Sequence, residues 1–358
     1  MSVMVITFAI LLVVHGLIHL LGAAKGLGAA ELPQLTQPIS PVLGMGWLAT
    51  ALLFLASAVS LFVWPRWWWA VALCAVVASM AVIIPSWTDA KFGALANVIV
   101  LAGAGFGFLS QGPFSLRAEY DVDVQDRVSV AAPASPITEE DLTYLPPSVR
   151  RYLQVVGVVG QPRVRNFRVR MHGRIRDGRQ GRWMSFTAEQ YNVVEPAARL
   201  FYLNATMFAI PVQGYHRYVG SAASMRVKAA AVVPVATAAG AEMTQAETVT
   251  LFNDMCIMAP GTLIDPGIEW EPVDAHTASA RFTNAGHTIR AVLTFNDEGE
   301  LVDFVSDDRM QTSSDGTVVR HLRWSTPVRD YRRYGPVRLA SGGRVGGTMP
   351  TAPTRTSN

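Results

Sequence analysis

The sequence predicts an α+β protein with membrane helices: an N-terminal four-helix transmembrane bundle, then a curved antiparallel β-sheet, a half-barrel, with one inserted helix. Three observations predict it. Four long apolar stretches crowd the first 110 residues, which hold only five acidic or basic side chains, Lys25, Glu31, Arg66, Asp89 and Lys91. From Val164 onward apolar and polar residues alternate with period two, as half-buried strands do. The stretch Ala241 to Met258 breaks that alternation with helical spacing.

A bilayer core about 30 Å thick is crossed by about 20 helical residues. Val3 to Ala24, Pro41 to Trp64, Trp67 to Ser86 and Phe92 to Leu109 each approach that length. Pro33, Pro38 and Pro41 punctuate the first gap, Trp64-Pro65-Arg66-Trp67-Trp68-Trp69 the second and Trp87 to Lys91 the third. Indoles beside an arginine favour the headgroup layer. The first segment has no basic head and no small-residue cleavage site, so it is expected to remain as a helix. An even number of spans puts the N-terminus and the large domain on one side. Lys25 and Lys91 balance Arg66 and Arg117, so charge counting does not decide which side. The short uncharged head before the first span translocates easily, which favours a multi-pass protein of the cell membrane with an extracytoplasmic domain.

Cys74 lies in the third apolar stretch and Cys256 in the soluble region, a placement that defines no disulfide and no redox compartment. A net charge of +3, with arginines dispersed and no basic tract, excludes nucleic acid as a partner.

Residues 113–135 read as a polar linker between the transmembrane domain, 1–112, and a β-rich domain, 136–341. Thr138, with acids following, starts one short helix, and Pro146-Pro147-Ser148 starts a second, whose apolar positions are Val149, Tyr152, Leu153 and Val156. Strands follow at Val164 to Arg176, Trp183 to Val194, Arg199 to Thr206, His216 to Val219 and Ser224 to Val233. In the inserted helix Ala246, Val249, Phe252, Asn253 and Cys256 share one spacing. Later strands are Ile268 to Pro272, Ala278 to Asn284, His287 to Asn296, Leu301 to Arg309 and Val318 to Thr326, with Asp297-Glu298-Gly299-Glu300 as a hairpin turn. Such a sheet must hide one face by curling or by packing on the helix, and a curled sheet closed by a helix makes a pocket. Residues 342–358, rich in Gly, Thr, Pro and Ser, read as a disordered tail.

Several groups suit chemistry. His15 and His19, four apart on the first span, share a helix face at the spacing that offers two nitrogens to a metal or haem iron; the simpler account is that each bonds a neighbouring helix. Glu247 and Asp254 lie two turns apart, about 10 Å along the axis, as a carboxylate pair for general acid and base or as a solvated stripe. Asp307-Asp308-Arg309 closes one strand, and Trp324, Arg329, Asp330, Tyr331, Arg332 and Arg333 follow the next, a set suited to structural ion pairs or to an anionic headgroup. Trp183, Tyr191, Phe201, Phe208, Met225, Phe252 and Met255 are ordinary core residues or the lining of a pocket for an apolar molecule. No nucleophile elbow, phosphate loop or CxxC is present.

The strings His15-Gly16-Leu17-Ile18-His19-Leu20, Leu32-Pro33-Gln34-Leu35-Thr36-Gln37-Pro38, Asp89-Ala90-Lys91-Phe92-Gly93, Glu189-Gln190-Tyr191-Asn192 and Ser306-Asp307-Asp308-Arg309 resemble a bacterial family of uncharacterised four-span membrane proteins with a C-terminal β-rich domain. The soluble part is similar in layout to the periplasmic lipoprotein-carrier fold, which implies a half-barrel over an apolar cavity. Members of that family carry further strand sequence after the position of Pro336 to Leu339, where this chain runs into a Gly-rich tail; the resemblance implies an uncovered sheet edge.

The leading expectation is therefore a membrane protein whose soluble domain binds a lipid or another apolar small molecule, with no cofactor and no reaction required. A haem, metal or quinone site at His15 and His19 is the second, with the β-rich domain as a partner-binding module. A hydrolase or isomerase using Glu247, Asp254, Asp308 and Arg309 is the third, and it requires those groups to meet in one cleft.

Overall fold

A computed structural model describes residues 3–127, 134–176, 181–208, 210–312 and 319–348. The chain divides into two compact units, Met1–Asp121 with Ala230–Val233, and Val122–Ala229 with Pro234–Asn358.

The first unit holds α1 (Val3–Gly26), α2 (Pro41–Val63), α3 (Trp68–Ile83), the single turn α4 (Trp87–Ala90), α5 (Gly93–Gln111) and the start of α6 (Leu116–Gln125). Ser40 caps α2 by accepting the Leu43 N–H, and Pro41 takes a first-turn position where no N–H is needed. α1 and α2 approach through small residues. A Cβ at Gly44 would stand 2.9 Å from the Gly26 backbone, and one at Gly22 would stand 2.4 Å from the Trp47 ring.

Three helices, Met4–Gly26, Pro41–Val63 and Gly93–Gln125, are long and apolar enough to cross a membrane. This corrects the expectation of four. The stretch Trp67 to Ser86 shortens to the 16 residues of α3, because turns occupy 65–67 and 84–86 around Pro65 and Pro85. At 1.5 Å per residue it spans about 24 Å, short of the ~30 Å hydrocarbon core. The segment read as linker from residue 113 contains α6, whose Leu116 and Tyr120 are buried and whose Ala118 N–H is capped by Ser115.

The second unit starts with a reciprocal cap: the Thr138 N–H donates to Asp141 and the Asp141 N–H to Thr138 Oγ1, around a 3-10 turn at Glu140–Leu142. α7 (Pro147–Val156) ends at Gly157, whose φ of +78° suits glycine. Next come β1 (Asn166–Ile175), β2 (Met184–Val193), β3 (Ala198–Met207), β4 (Ile210–Val219), β5 (Ala222–Ala229) and β6 (Val233–Ala239), which form one antiparallel meander in sequence order. α8 (Ala241–Met258) leads to a second sheet. It is built from β7 (Ile268–Pro272), β8 (Thr277–Asn284), β9 (His287–Phe295), β10 (Leu301–Thr312), β11 (Val319–Ser325) and, after the hairpin β12 (Val328–Tyr334) and β13 (Val337–Gly343), β14 (Gly346–Thr348).

The expected single half-barrel is thus two six-stranded sheets and a two-stranded one, none closed. The helix is not inserted into a sheet; it separates them. The stretch Ser224 to Val233 divides at a turn into β5 and the start of β6. Gly342 and Gly343 end β13, and Gly347 pairs with Trp324, so the segment read as tail begins with strand residues; 349–358 lie outside the described residues. That pairing lays a short strand on the β11 edge, where the resemblance implied an uncovered one.

The main core lies where α8 meets the second sheet. Phe252 stacks on Phe282 at 4.9 Å between ring centroids and meets Phe304 at 5.9 Å, with Val249, Cys256, Ile289, Ala291 and Leu293 around them. Tyr152 of α7 donates its hydroxyl to the Cys256 carbonyl behind this cluster.

Candidate functional site

A polar stripe on α8 carries two buried carboxylates, Glu247 and Asp254. Glu247, Thr250, Asn253 and Asp254 are spaced three and four apart, so they share one side of the helix, and all four are buried. Burial of this kind demands partners.

The first sheet supplies some of them. Register places Gln190 opposite Phe201, Phe201 opposite His216 and His216 opposite Met225; Asn192 pairs with Arg199, two residues along and hence on the same face. Arg199 Nε donates to Asp254 Oδ2 at 2.6 Å and Nη1 to Glu247 Oε2 at 2.9 Å. One guanidinium therefore draws together two carboxylates rooted two helical turns apart. Gln190 Nε2 donates to Asp254 Oδ2 at 2.7 Å and its Oε1 accepts from Arg199 Nη2. His216 Nδ1 stands 3.6 Å from Glu247 Oε1.

The second sheet supplies Arg309, and a β-bulge explains how. Ser306 pairs with Trp324 and Arg309 with Leu322, three residues on β10 against two on β11. The extra residue is held in place by side chains. Ser306 Oγ donates to the Arg290 carbonyl at 2.7 Å and accepts from the Asp308 N–H, while Asp308 Oδ2 accepts the Arg290 N–H at 2.5 Å. One inserted residue reverses the alternation, so Arg309 takes the helix-facing side that Phe304 and Ser306 occupy before it. There its Nη1 donates to the Ala246 carbonyl and to Thr250 Oγ1, and its guanidinium lies 3.8 Å from the Trp324 ring centroid.

Electrostatics divide the cluster. Burial works to raise Glu247, but Arg199 and His216 outweigh it and hold that carboxyl down at about 2. For Asp254 burial wins over Arg199 and Gln190, and its pKa is raised. Burial works against the Arg199 charge, yet Asp254 and Glu247 raise it overall. Burial lowers Arg309, with Arg199 adding to the effect and Glu247 opposing it. Arg309 has no carboxylate within ion-pair reach among the described residues, and of its five N–H groups only those on Nη1 are engaged. Three further polar atoms of the cluster are buried without a partner among the described residues: Trp324 Nε1, Asn253 Oδ1 and Asn192 Nδ2. They belong to the side chain under Arg309, to the α8 stripe and to the first sheet's helix-facing side.

The structure thus brings Glu247, Asp254 and Arg309 to one helix, while Asp308 braces the bulge. The seven residues expected to line a pocket separate. Phe252 and Met255 are core, Phe201 and Met225 border His216 on the face towards α8, Tyr191 points to the opposite face, and Trp183 and Phe208 are exposed. Arg199, Gln190, Asn192 and His216 were missed. Gln190 and Asn192 sit inside the string Glu189-Gln190-Tyr191-Asn192, whose polar residues at alternating positions of a strand were the available signal.

In the first unit His15 and His19 are buried, with ring planes at 90° and centroids 4.7 Å apart. A carbonyl only accepts, so His19 Nδ1 donates to the His15 carbonyl at 2.8 Å and its Nε2 accepts from Ser79 Oγ at 2.9 Å. Ser79 in turn accepts from Asn97 Nδ2, and Asn97 Oδ1 accepts from His15 Nε2 at 3.0 Å. This chain ties α1, α3 and α5 together and engages both nitrogens of His19. No group of three or more His, Cys, Asp or Glu that could hold a metal occurs among the described residues.

Residues 135–354 match the model of a family described as a family of unknown function, DUF6544. The match starts after the apolar helices, and neither a four-span family nor a lipoprotein-carrier similarity is shown. No curated protein and no solved structure matches the chain.

Proposed function

We propose a ligand-binding role for this chain, which belongs to the DUF6544 family of unknown function. The ligand is an amphipathic anion: a carboxylate or phosphate head seated on Arg309 beside the α8 stripe, with an apolar part towards Phe201 and Met225. The protein is a multi-pass membrane protein, and the domain works beside the bilayer, where lipid-derived anions are at hand.

The observation that carries this reading is Arg309 itself. A dedicated bulge turns its guanidinium inward onto Trp324, where it has no carboxylate partner. Burying a cation in this way is costly unless an anion completes it. The unpartnered Trp324 Nε1 is a second donor in the same place. The filled contact of Phe252 with Phe282 and Phe304 argues against an apolar cavity between α8 and the second sheet. The ligand therefore belongs at the polar stripe and not in the core.

A second reading, acid–base chemistry, is supported by the opposite shifts of Glu247 and Asp254. Arg199 clamps both carboxylates, and that ranks it below binding. The test is mass spectrometry of the organic extract of the purified full chain and of its Arg309→Gln variant. A stoichiometric carboxylate- or phosphate-bearing lipid in the wild type, depleted by about tenfold or more in the variant, is expected for the loss of a charged hydrogen bond. Equal recovery from both proteins refutes the assignment.

A further inference from the structure

One end of the first sheet is built unlike the rest of the domain. In a meander running in sequence order, the end of β1, the start of β2, the end of β3, the start of β4 and the start of β6 all lie at the same end. Exposed large apolar side chains collect there: Ile175, Trp183, Phe208, Ile210 and Val235. Phe208 is 69% exposed and adopts φ +50°, a left-handed conformation unfavourable for a bulky residue. The ring lies outside the core.

Charge surrounds these side chains. The Arg174 and Arg176 guanidinium groups lie 5.6 and 4.6 Å from the Trp183 ring centroid, and Arg182 lies 5.3 Å from that of Phe208. Exposed apolar side chains gathered in one place and rimmed by charge mark protein or membrane interaction sites. An indole and a phenyl ring, each under an arginine, match a surface that is apolar a few ångströms down and anionic at the top. The same chain carries three helices long and apolar enough to cross a membrane, so a bilayer is tethered to this domain at high effective concentration.

From this juxtaposition we propose that the face carrying Trp183, Phe208 and Ile210 at this end of the first sheet docks onto a bilayer surface containing anionic phospholipid. Trp183, Phe208 and Ile210 enter the headgroup layer, and Arg174 and Arg182 pair with phosphates. The inference uses none of the residues on which the Arg309 reading rests, so either can fail alone.

The experiment uses the full chain in nanodiscs of phosphatidylcholine alone or of equal parts phosphatidylcholine and phosphatidylglycerol. Ile210→Cys in a Cys74→Ser background carries an environment-sensitive nitrobenzoxadiazole label; Cys256 is buried and stays unlabelled. Glu298→Cys, on the exposed turn before β10, is the reference position. The expected result is blue-shifted emission from residue 210 that doxyl-labelled lipid quenches, stronger with phosphatidylglycerol, and no quenching at residue 298. Each of Arg174→Gln and Arg182→Gln is expected to lower the docked fraction's equilibrium constant about five-fold. Emission at 210 as water-exposed as at 298 in both nanodiscs overturns the proposal. So does a blue shift without lipid quenching, which would mark a protein partner, and so does quenching indifferent to phosphatidylglycerol and to the arginines.

Discussion

Glu247 gives the sharpest test of the buried cluster. Its folded pKa is held down at about 2 from 4.5, so the folded state keeps the carboxylate ionised where the unfolded chain protonates it. For a depressed carboxylate the stabilisation is present above the unfolded pKa and is lost as pH falls through the folded one. The window therefore runs from 4.5 down to about 2. A gap of roughly 2.5 units at 1.36 kcal/mol each is about 3 kcal/mol. The perturbation is Glu247→Gln, which removes the titration; Asp254 titrates in both proteins, freed in the variant of the Glu247 charge that helps raise it. The assay is urea unfolding at a series of pH values, read by exposure of the buried Cys256 thiol on α8 to dithiodipyridine, which reacts with thiols in acid, with Cys74→Ser in both chains. The wild type is expected to lose about 3 kcal/mol more than the variant across that window. Parallel pH profiles would refute the reasoning, because they would mean that Arg199 and His216 do not hold Glu247 ionised.

Further outcomes follow from the same contacts. Arg199→Met leaves two buried carboxylates without their shared cation and is expected to destabilise the domain by about 3–5 kcal/mol, with Arg199→Lys recovering part of that, as measured by urea midpoint. Phe252→Ala removes the ring stacked on Phe282 and is expected to cost about 3–5 kcal/mol by the same measurement. Asp308→Ala frees the Arg290 N–H and loosens the bulge; it is expected to cost about 1 kcal/mol in stability and also to release Arg309 from Trp324, seen as a change in Trp324 fluorescence that Trp324→Phe abolishes.

Much of the architecture is legible in the sequence because periodicity reports burial. Three apolar runs without charge become three candidate spans, and alternation from Val164 onward becomes strands. The helix Ala241–Met258 falls where its spacing put it, and only its setting differs. Composition cannot tell one curved sheet from two separate ones, since a strand shows which of its faces is apolar but not what it packs against. The run Trp67 to Ser86 is as greasy as its neighbours, and the prolines at 65 and 85 that trim it could equally have lain at a membrane boundary. Glu247, Asp254 and Arg309 are legible as charges in apolar surroundings. Arg199 is not, because an arginine at a strand's start looks solvated until the cross-strand register sets it beside α8. The bulge is hidden for a related reason: a single added residue in β10 leaves composition unchanged and reverses which side Arg309 takes.

The central claim, an anion seated on Arg309, is tested most directly by photoaffinity mapping of the full chain in nanodiscs with a diazirine-bearing palmitate and its neutral alcohol analogue. The account predicts palmitate crosslinks on peptides from α8 and around Trp324 that unlabelled palmitate displaces, that Arg309→Gln removes, and that the alcohol does not form. Crosslinks confined to α1–α5, or α8 crosslinks equal for the acid and the alcohol and unchanged by Arg309→Gln, would contradict it.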